Sequence, residues 1–468
     1  MTRAGGRRIL RPTAPVVTSN GRIRLNPGWL AAVLVLITAG ALAVAGSTSR
    51  PTGQTGRTTE QVALSERQLT CTGGIKGASS MSGVADVRGV GTGVLTRNAT
   101  PAVPVIGNVT TGSLATNPLV LIADKNVAAG VFASQIARNA RWLAFEPCPE
   151  PRASWWFVGA GGSGSHDTVL TIGNPRAGNA IFDINVLGPQ GPVTAPGLKG
   201  LSLSSGATRS FDLGKVAPSA GELAVSITSS RGLVSVSAAD SWSRALVDKP
   251  VNEWVAPQPD AAKQVDLTGI PAKPGQATLL LANTGTTDAL AKVEVVGSTG
   301  TFTPKAVPTV SLSPGAVVSV PITSLFDGKP SALRVTSPVP IVATVRSVVN
   351  GDDSYATTAS ALAGSSVAAV PAGVHAELRL SSLGKLGAVT VRTFDAKGRE
   401  VGSSREIAIP AESAVGVTLS PKARYVEVTA TAPQTIGSLL ISNSSGIGES
   451  VLSPAARALR LPVVHPGA

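Results

Sequence analysis

Aromatic residues are scarce in this 468-residue sequence, at 3%, although hydrophobic residues reach 43%. Its cores must therefore be built from Val, Leu, Ile and Ala rather than from large rings. Cysteine occurs only at positions 71 and 148, and histidine only at 166, 375 and 465. Ligands so few and so scattered match no HExxH or Cys/His zinc pattern, so neither a metal nor another cofactor is expected. Acidic residues are missing before Glu60, whereas Arg3, Arg7, Arg8, Arg11, Arg22 and Arg24 all fall within the first 28 positions. Those six charges are nearly half of the formal +13. Elsewhere no Lys/Arg cluster with interleaved aromatics appears, which argues against nucleic acid as a partner. The stretch Gly89-Val90-Gly91-Thr92-Gly93 lacks the spacing of a dinucleotide fingerprint, and no Gly-Lys-Ser/Thr phosphate loop occurs.

One long apolar run is present. Trp29 to Gly46 reads WLAAVLVLITAGALAVAG and carries no charge. As a helix it would span ~27 Å, close to the hydrocarbon thickness of a bilayer. The arginines before it, against only Arg50 and Arg57 just after it, set the N-terminus inside the cytoplasm. The expected layout is a basic cytoplasmic tail (1–28), a transmembrane signal-anchor helix (29–46), a Thr/Gly/Gln-rich flexible stalk (47–68), and an exported remainder. Ala43-Val44-Ala45 keeps open the alternative of cleavage near Ala45 and secretion. Outside the cytoplasm Cys71 and Cys148 are expected to pair as a structural disulfide, and the Cys-x-x-Cys spacing of a redox pair is absent. In the chain-entropy model such a bridge constrains the unfolded chain by ~4.5 kcal/mol.

The remainder repeats itself. Val169-Leu170-Thr171-Ile172-Gly173-Asn174 matches Thr278-Leu279-Leu280-Leu281-Ala282-Asn283, and at the same offset Ile184-Asn185-Val186 meets Val293-Glu294-Val295. A weaker copy follows in Leu378-Arg379-Leu380 and Val389-Thr390-Val391. The period-2 alternation of these segments and the Gly/Pro/Ser/Asn turns between them predict strands, and Asn350-Gly351 reads as a hairpin turn before it reads as part of a calcium loop. The fold class expected is all-β: tandem immunoglobulin-like β-sandwich modules in a row, at 69–150 (divergent, spanned by the disulfide), 151–250, 251–360 and 361–468. A period near 100 residues is too long for a propeller blade. Modules strung in this way should unfold largely independently.

Tryptophans recur at the expected junctions. Trp155, Trp156 and Trp254 have a functional reading, an aromatic platform on which sugar rings stack, and a structural one, plugs between neighbouring modules. Ser165-His166-Asp167 resembles a catalytic triad in letters only, because neighbours on an extended chain point to opposite faces.

The run Trp155-Trp156-Phe157-Val158-Gly159, then Leu170-Thr171-Ile172-Gly173-Asn174-Pro175, then Val186-Leu187-Gly188-Pro189-Gln190-Gly191, with Cys71 and Cys148 upstream, resembles an uncharacterised family of exported or membrane-anchored envelope proteins of high-GC Gram-positive bacteria. The resemblance brings no catalytic or binding residues; it implies work on envelope polysaccharide. The expected function is a non-enzymatic, single-pass membrane protein whose ectodomain is a scaffold or binds partners, envelope proteins or anionic wall polymers. The alternatives are a glycan-binding wall protein using the junction tryptophans, and an envelope hydrolase or transferase.

Overall fold

A computed structural model describes residues 59–462, apart from 64–65, 88–89, 115–117, 125, 219, 245–248, 259, 363, 433 and 454–457. The basic tail, the apolar run at 29–46 and most of the stalk lie outside the described residues. Among the described residues no helix is long and apolar enough to cross a membrane. Among the described residues the chain is all-β, with the single turns Leu213–Val216 and Thr323–Leu325 as its helical pieces.

One strand plan recurs four times. In the first repeat eight strands run Glu66–Cys71, Ser79–Val84, Leu95–Arg97, Thr100–Ala102, Val109–Ser113, Leu119–Asp124, Val131–Arg138 and Leu143–Pro147. They form two four-stranded sheets, ordered first–sixth–third–fourth and fifth–second–seventh–eighth. The fourth repeat, from Gly364–Ala369 to Ile447–Val451, has the same two sheets in the same order. The second and third keep the order with local changes. In the second, a single pairing of Gly162 with Asp167 joins the sheets. In the third, the sixth and seventh strands fuse into Ala332–Val349. The immunoglobulin order is different, so the expected immunoglobulin-like sandwich is met only at the level of all-β structure.

The alternation read from the sequence becomes burial. Along Ala180–Gly188 every second residue is buried, with Phe182, Ile184 and Val186 facing the core. The offset of 109 between the second and third repeats holds at atomic detail. Asn174 Nδ2 donates to Gly178 O (2.8 Å) and Leu203 O (3.0 Å), and Asn283 Nδ2 donates to Thr287 O (2.8 Å) and Leu312 O (3.2 Å). Each buried amide thus closes the same loop in its own repeat. Asn350 and Gly351 take φ of 52° and 87°, the left-handed pair that a tight hairpin requires.

The repeats are not beads. The eighth strands Leu143–Pro147, Val251–Trp254, Asp352–Thr357 and Ile447–Val451 meet in cyclic order, the first packing against the second and fourth, and the third likewise. The result is a propeller-like ring of four blades, each larger than the single four-stranded sheet of an ordinary blade, which is why a period near 100 residues did not suggest it. Cores cross the seams. The cluster of Leu121, Val131 and Cys148 takes in Ala239, Val251 and Trp254 from the second repeat. That of the fourth repeat takes in Ile136, Leu143 and Phe145 from the first. Phe394 stacks on Tyr425 at 4.6 Å, and Phe132 of the first repeat lies 5.2 Å from the same ring, closing the circle.

Candidate functional site

Each hub strand is an edge strand of its sheet, and an edge leaves every second N–H without a ladder partner. In a soluble monomer water would take those groups. At the centre of the ring these strands are buried, and two carboxylates take several of the groups instead. Asp352 Oδ2 accepts from Leu143 N (3.0 Å) and Ile447 N (2.9 Å), so one side chain of the third repeat ties the first to the fourth. Glu253 Oε1 accepts from Phe145 N (2.9 Å) and from its own neighbour Trp254 N (2.8 Å), tying the second repeat to the first. Glu146 Oε2 instead accepts from Gln135 Nε2 (2.6 Å) within the first repeat, and Glu449 is a buried acid on the eighth strand of the fourth. All four acids are buried.

Buried carboxyls favour the neutral form. Burial pushes Glu146 up to about 8, against the opposing bond from Gln135. It pushes Asp352 up to about 8 as well, against its two backbone donors. Burial, and next the neighbouring Asp352, hold Glu253 well above the ordinary carboxylate range, and burial does the same to Glu449. At neutral pH this hub is largely a set of protonated acids. Close approach also fixes the backbone here: a Cβ on Gly446 would collide with the Asp352 carboxyl.

A second polar cluster sits in the seam between the second and third repeats. His166 Nε2 lies 3.1 Å from Asp240 Oδ1, and its Nδ1 lies 3.9 Å from Glu222 Oε2. Asp240 also accepts from Tyr355 OH (2.7 Å) and Thr168 Oγ1 (2.5 Å). Arg346 grips Glu222 with both terminal nitrogens, at 2.9 and 2.7 Å, and lies 3.8 Å above the Trp242 ring. The His166 ring stacks on Trp242 at 4.8 Å, and the Arg244 guanidinium lies 5.2 Å from the same ring. Arg244 pairs with Asp353. Burial works against a charged His166, but Asp240 and then Glu222 outweigh it and raise its pKa. With a carboxylate of its own repeat at each ring nitrogen, His166 is held within the second repeat, and Tyr355 and Arg346 carry the contact across the seam. A catalytic base needs one nitrogen turned to a substrate, and neither is.

Sequence-predicted residues fall as follows. Cys71 and Cys148 form the expected disulfide, with Cα atoms 4.6 Å apart. Trp155 and Trp254 are buried, and their indole N–H groups donate to Val234 O (3.1 Å) and Gly73 O (2.9 Å). Neither offers a face to a sugar, so their stacking role is corrected to core and seam packing. Trp156 is half-buried against the Val158–Leu280 cluster between the second and third repeats. The adjacent Ser165-His166-Asp167 does not converge: Asp167 accepts from Gly214 N (2.8 Å), and the carboxylate that meets His166 is Asp240. Asp352 and Asp353, the acids of the loop weighed for calcium, are engaged at the hub and by Arg244. Among the described residues no group of three or more His, Cys, Asp or Glu is placed to hold a metal ion.

Sequence reading missed the hub acids. Their signal was an acid inside a short, mostly apolar closing strand: Leu143-Ala144-Phe145-Glu146, Val251-Asn252-Glu253-Trp254, and Ile447-Gly448-Glu449.

Residues 107–420 match the model of a family of unknown function, DUF5719. No curated protein matches the sequence.

Proposed function

The chain belongs to this family of unknown function, and on that premise we propose that it is a non-enzymatic scaffold of the cell envelope, held at the membrane by Trp29–Gly46 with its C-terminal part outside. The layout proposed is the basic tail, anchor and stalk of residues 1–68 followed by β-sandwich modules, in a strand order of their own, that act as one rigid body. Its role would be to bind partners in envelope-polysaccharide assembly in a high-GC Gram-positive bacterium. The observation that supports this reading is where the titratable groups go. Asp352, Glu253 and the pairs Arg346–Glu222, Tyr355–Asp240 and Arg244–Asp353 bridge repeats from buried or part-buried positions, which spends on rigidity the residues that an enzyme would spend on substrate. Rigid seams suit a surface that must hold partners in fixed register.

The test is crosslinking in cells, followed by capture of the full-length chain. A reproducible envelope protein or wall polymer, recovered with the wild type and lost when the ring is opened by Asp352→Ala, is the expected result. Recovery of abundant non-specific proteins alone, unchanged in the variant, would contradict the proposal.

A further inference from the structure

A cleft of about 340 Å³ opens between the first and fourth repeats, where the ring closes. Its floor is apolar, with Met81 and Ile136, while Ser79 and Thr111 supply hydroxyls. Two guanidiniums, Arg138 and Arg424, line it, and no Asp or Glu does. Both are held by the fold: Arg138 Nη1 donates to Ala372 O across the seam (3.0 Å), and Arg424 Nη1 donates to Pro421 O (3.1 Å). Neither makes an ion pair among the described residues. Contrast other arginines: Arg334 meets Asp266 at 3.0 Å, Arg346 meets Glu222, and Arg392 meets Glu427 at 3.2 Å. Here two fixed cations contributed by different repeats face one concavity with the remaining donors of each fork unanswered by any acid. Planar guanidiniums in that state match an oxyanion, phosphate above all. The volume lies at the lower end for small-molecule sites, enough for a monosaccharide-sized body and too small for a folded partner.

We propose that this cleft binds a phosphate monoester carried on a small polyol, the oxyanion between Arg138 and Arg424 and the polyol against Ser79, Thr111 and the apolar floor. The site goes beyond the scaffold reading and does not depend on it, since it exists only because the ring closes.

The test is titration calorimetry of the full chain with glucose 1-phosphate, glucose and inorganic phosphate. Glucose 1-phosphate should bind saturably and more weakly as salt rises, because exposed charges are screened. Inorganic phosphate should compete, and glucose should not bind. Arg138→Gln with Arg424→Gln should weaken binding roughly tenfold or more, the size expected for charge-assisted hydrogen bonds. The double Lys variant, which keeps the charge, should retain most of it. Equal melting temperatures of the variants separate lost binding from lost folding. Undiminished binding by the double Gln variant overturns the proposal. So does a wild type that never saturates in the millimolar range, or one that binds phosphatidic acid vesicles but not glucose 1-phosphate, which would make the ligand a lipid surface.

Discussion

Asp352 and Leu143, 209 positions apart, meet at 3.0 Å, the carboxyl of one repeat accepting the backbone amide of another. The same oxygen accepts Ile447 N at 2.9 Å. Asp352→Ala removes that one acceptor and leaves two buried N–H groups unpaired, at ~1–3 kcal/mol each. Asp352→Asn retains a carbonyl oxygen and resembles the protonated acid already favoured here. Chemical denaturation should show a loss of several kcal/mol for Ala and about 1 kcal/mol or less for Asn. Equal losses would show that the side chain is not acting as an acceptor.

Stability should fall as pH rises from about 5 to 8. Glu146 and Asp352 are pushed up to about 8 and Asp353 to about 6, each mainly by burial. Between their ordinary values and these raised ones the folded chain holds protons that the unfolded chain has released. Folding is therefore favoured by acid, and each group contributes a decline of up to ~1.4 kcal/mol per pH unit within its window. His166, also raised, adds a loss of the same sign as pH passes upward through its range. Urea midpoints measured at pH 5, 6, 7 and 8 test this. Midpoints that climb toward pH 8 would mean that the hub acids are ionised and stabilised.

Reducing the Cys71–Cys148 bridge, or Cys71→Ser, should lower stability by ~2–5 kcal/mol. Damage should spread beyond the first repeat, because Trp254 and Val251 of the second share its core and Phe145 and Leu143 belong to that of the fourth. Limited proteolysis of the variant should yield no resistant fragment of the last three repeats.

Acrylamide should quench Trp155 and Trp254 poorly in the native protein, read in single-Trp variants, because both rings are 2% exposed or less. Trp254→Phe should be destabilising through lost volume and the lost bond to Gly73 O, by ~1–3 kcal/mol. Strong quenching at either site would return the glycan platform to consideration.

How much of this was legible beforehand depends on range. The strands, the turn at Asn350-Gly351 and the offset of 109 are local or periodic features, and the matching bonds of Asn174 and Asn283 bear them out. The disulfide followed from having only two cysteines. Ring closure was hidden because it rests on non-local contacts between strands that look alike. The hub went unseen for a related reason. A lone acid on a strand usually faces water, so Glu146 and Glu253 carry little local signal beyond apolar residues such as Phe145 and Trp254 beside them. His166 was noticed for the wrong partners, because Asp240 lies 74 positions away.

The claim that ties these findings together is that the four repeats fold as one closed ring. Differential scanning calorimetry of the full chain tests it most directly, by comparing the calorimetric enthalpy with the van't Hoff enthalpy of the main transition. A ratio near one, with a single peak that Asp352→Ala moves as a whole, is the predicted result. Separate peaks, or a ratio of about two or more that the variant leaves unchanged, would mean independent modules and contradict the ring.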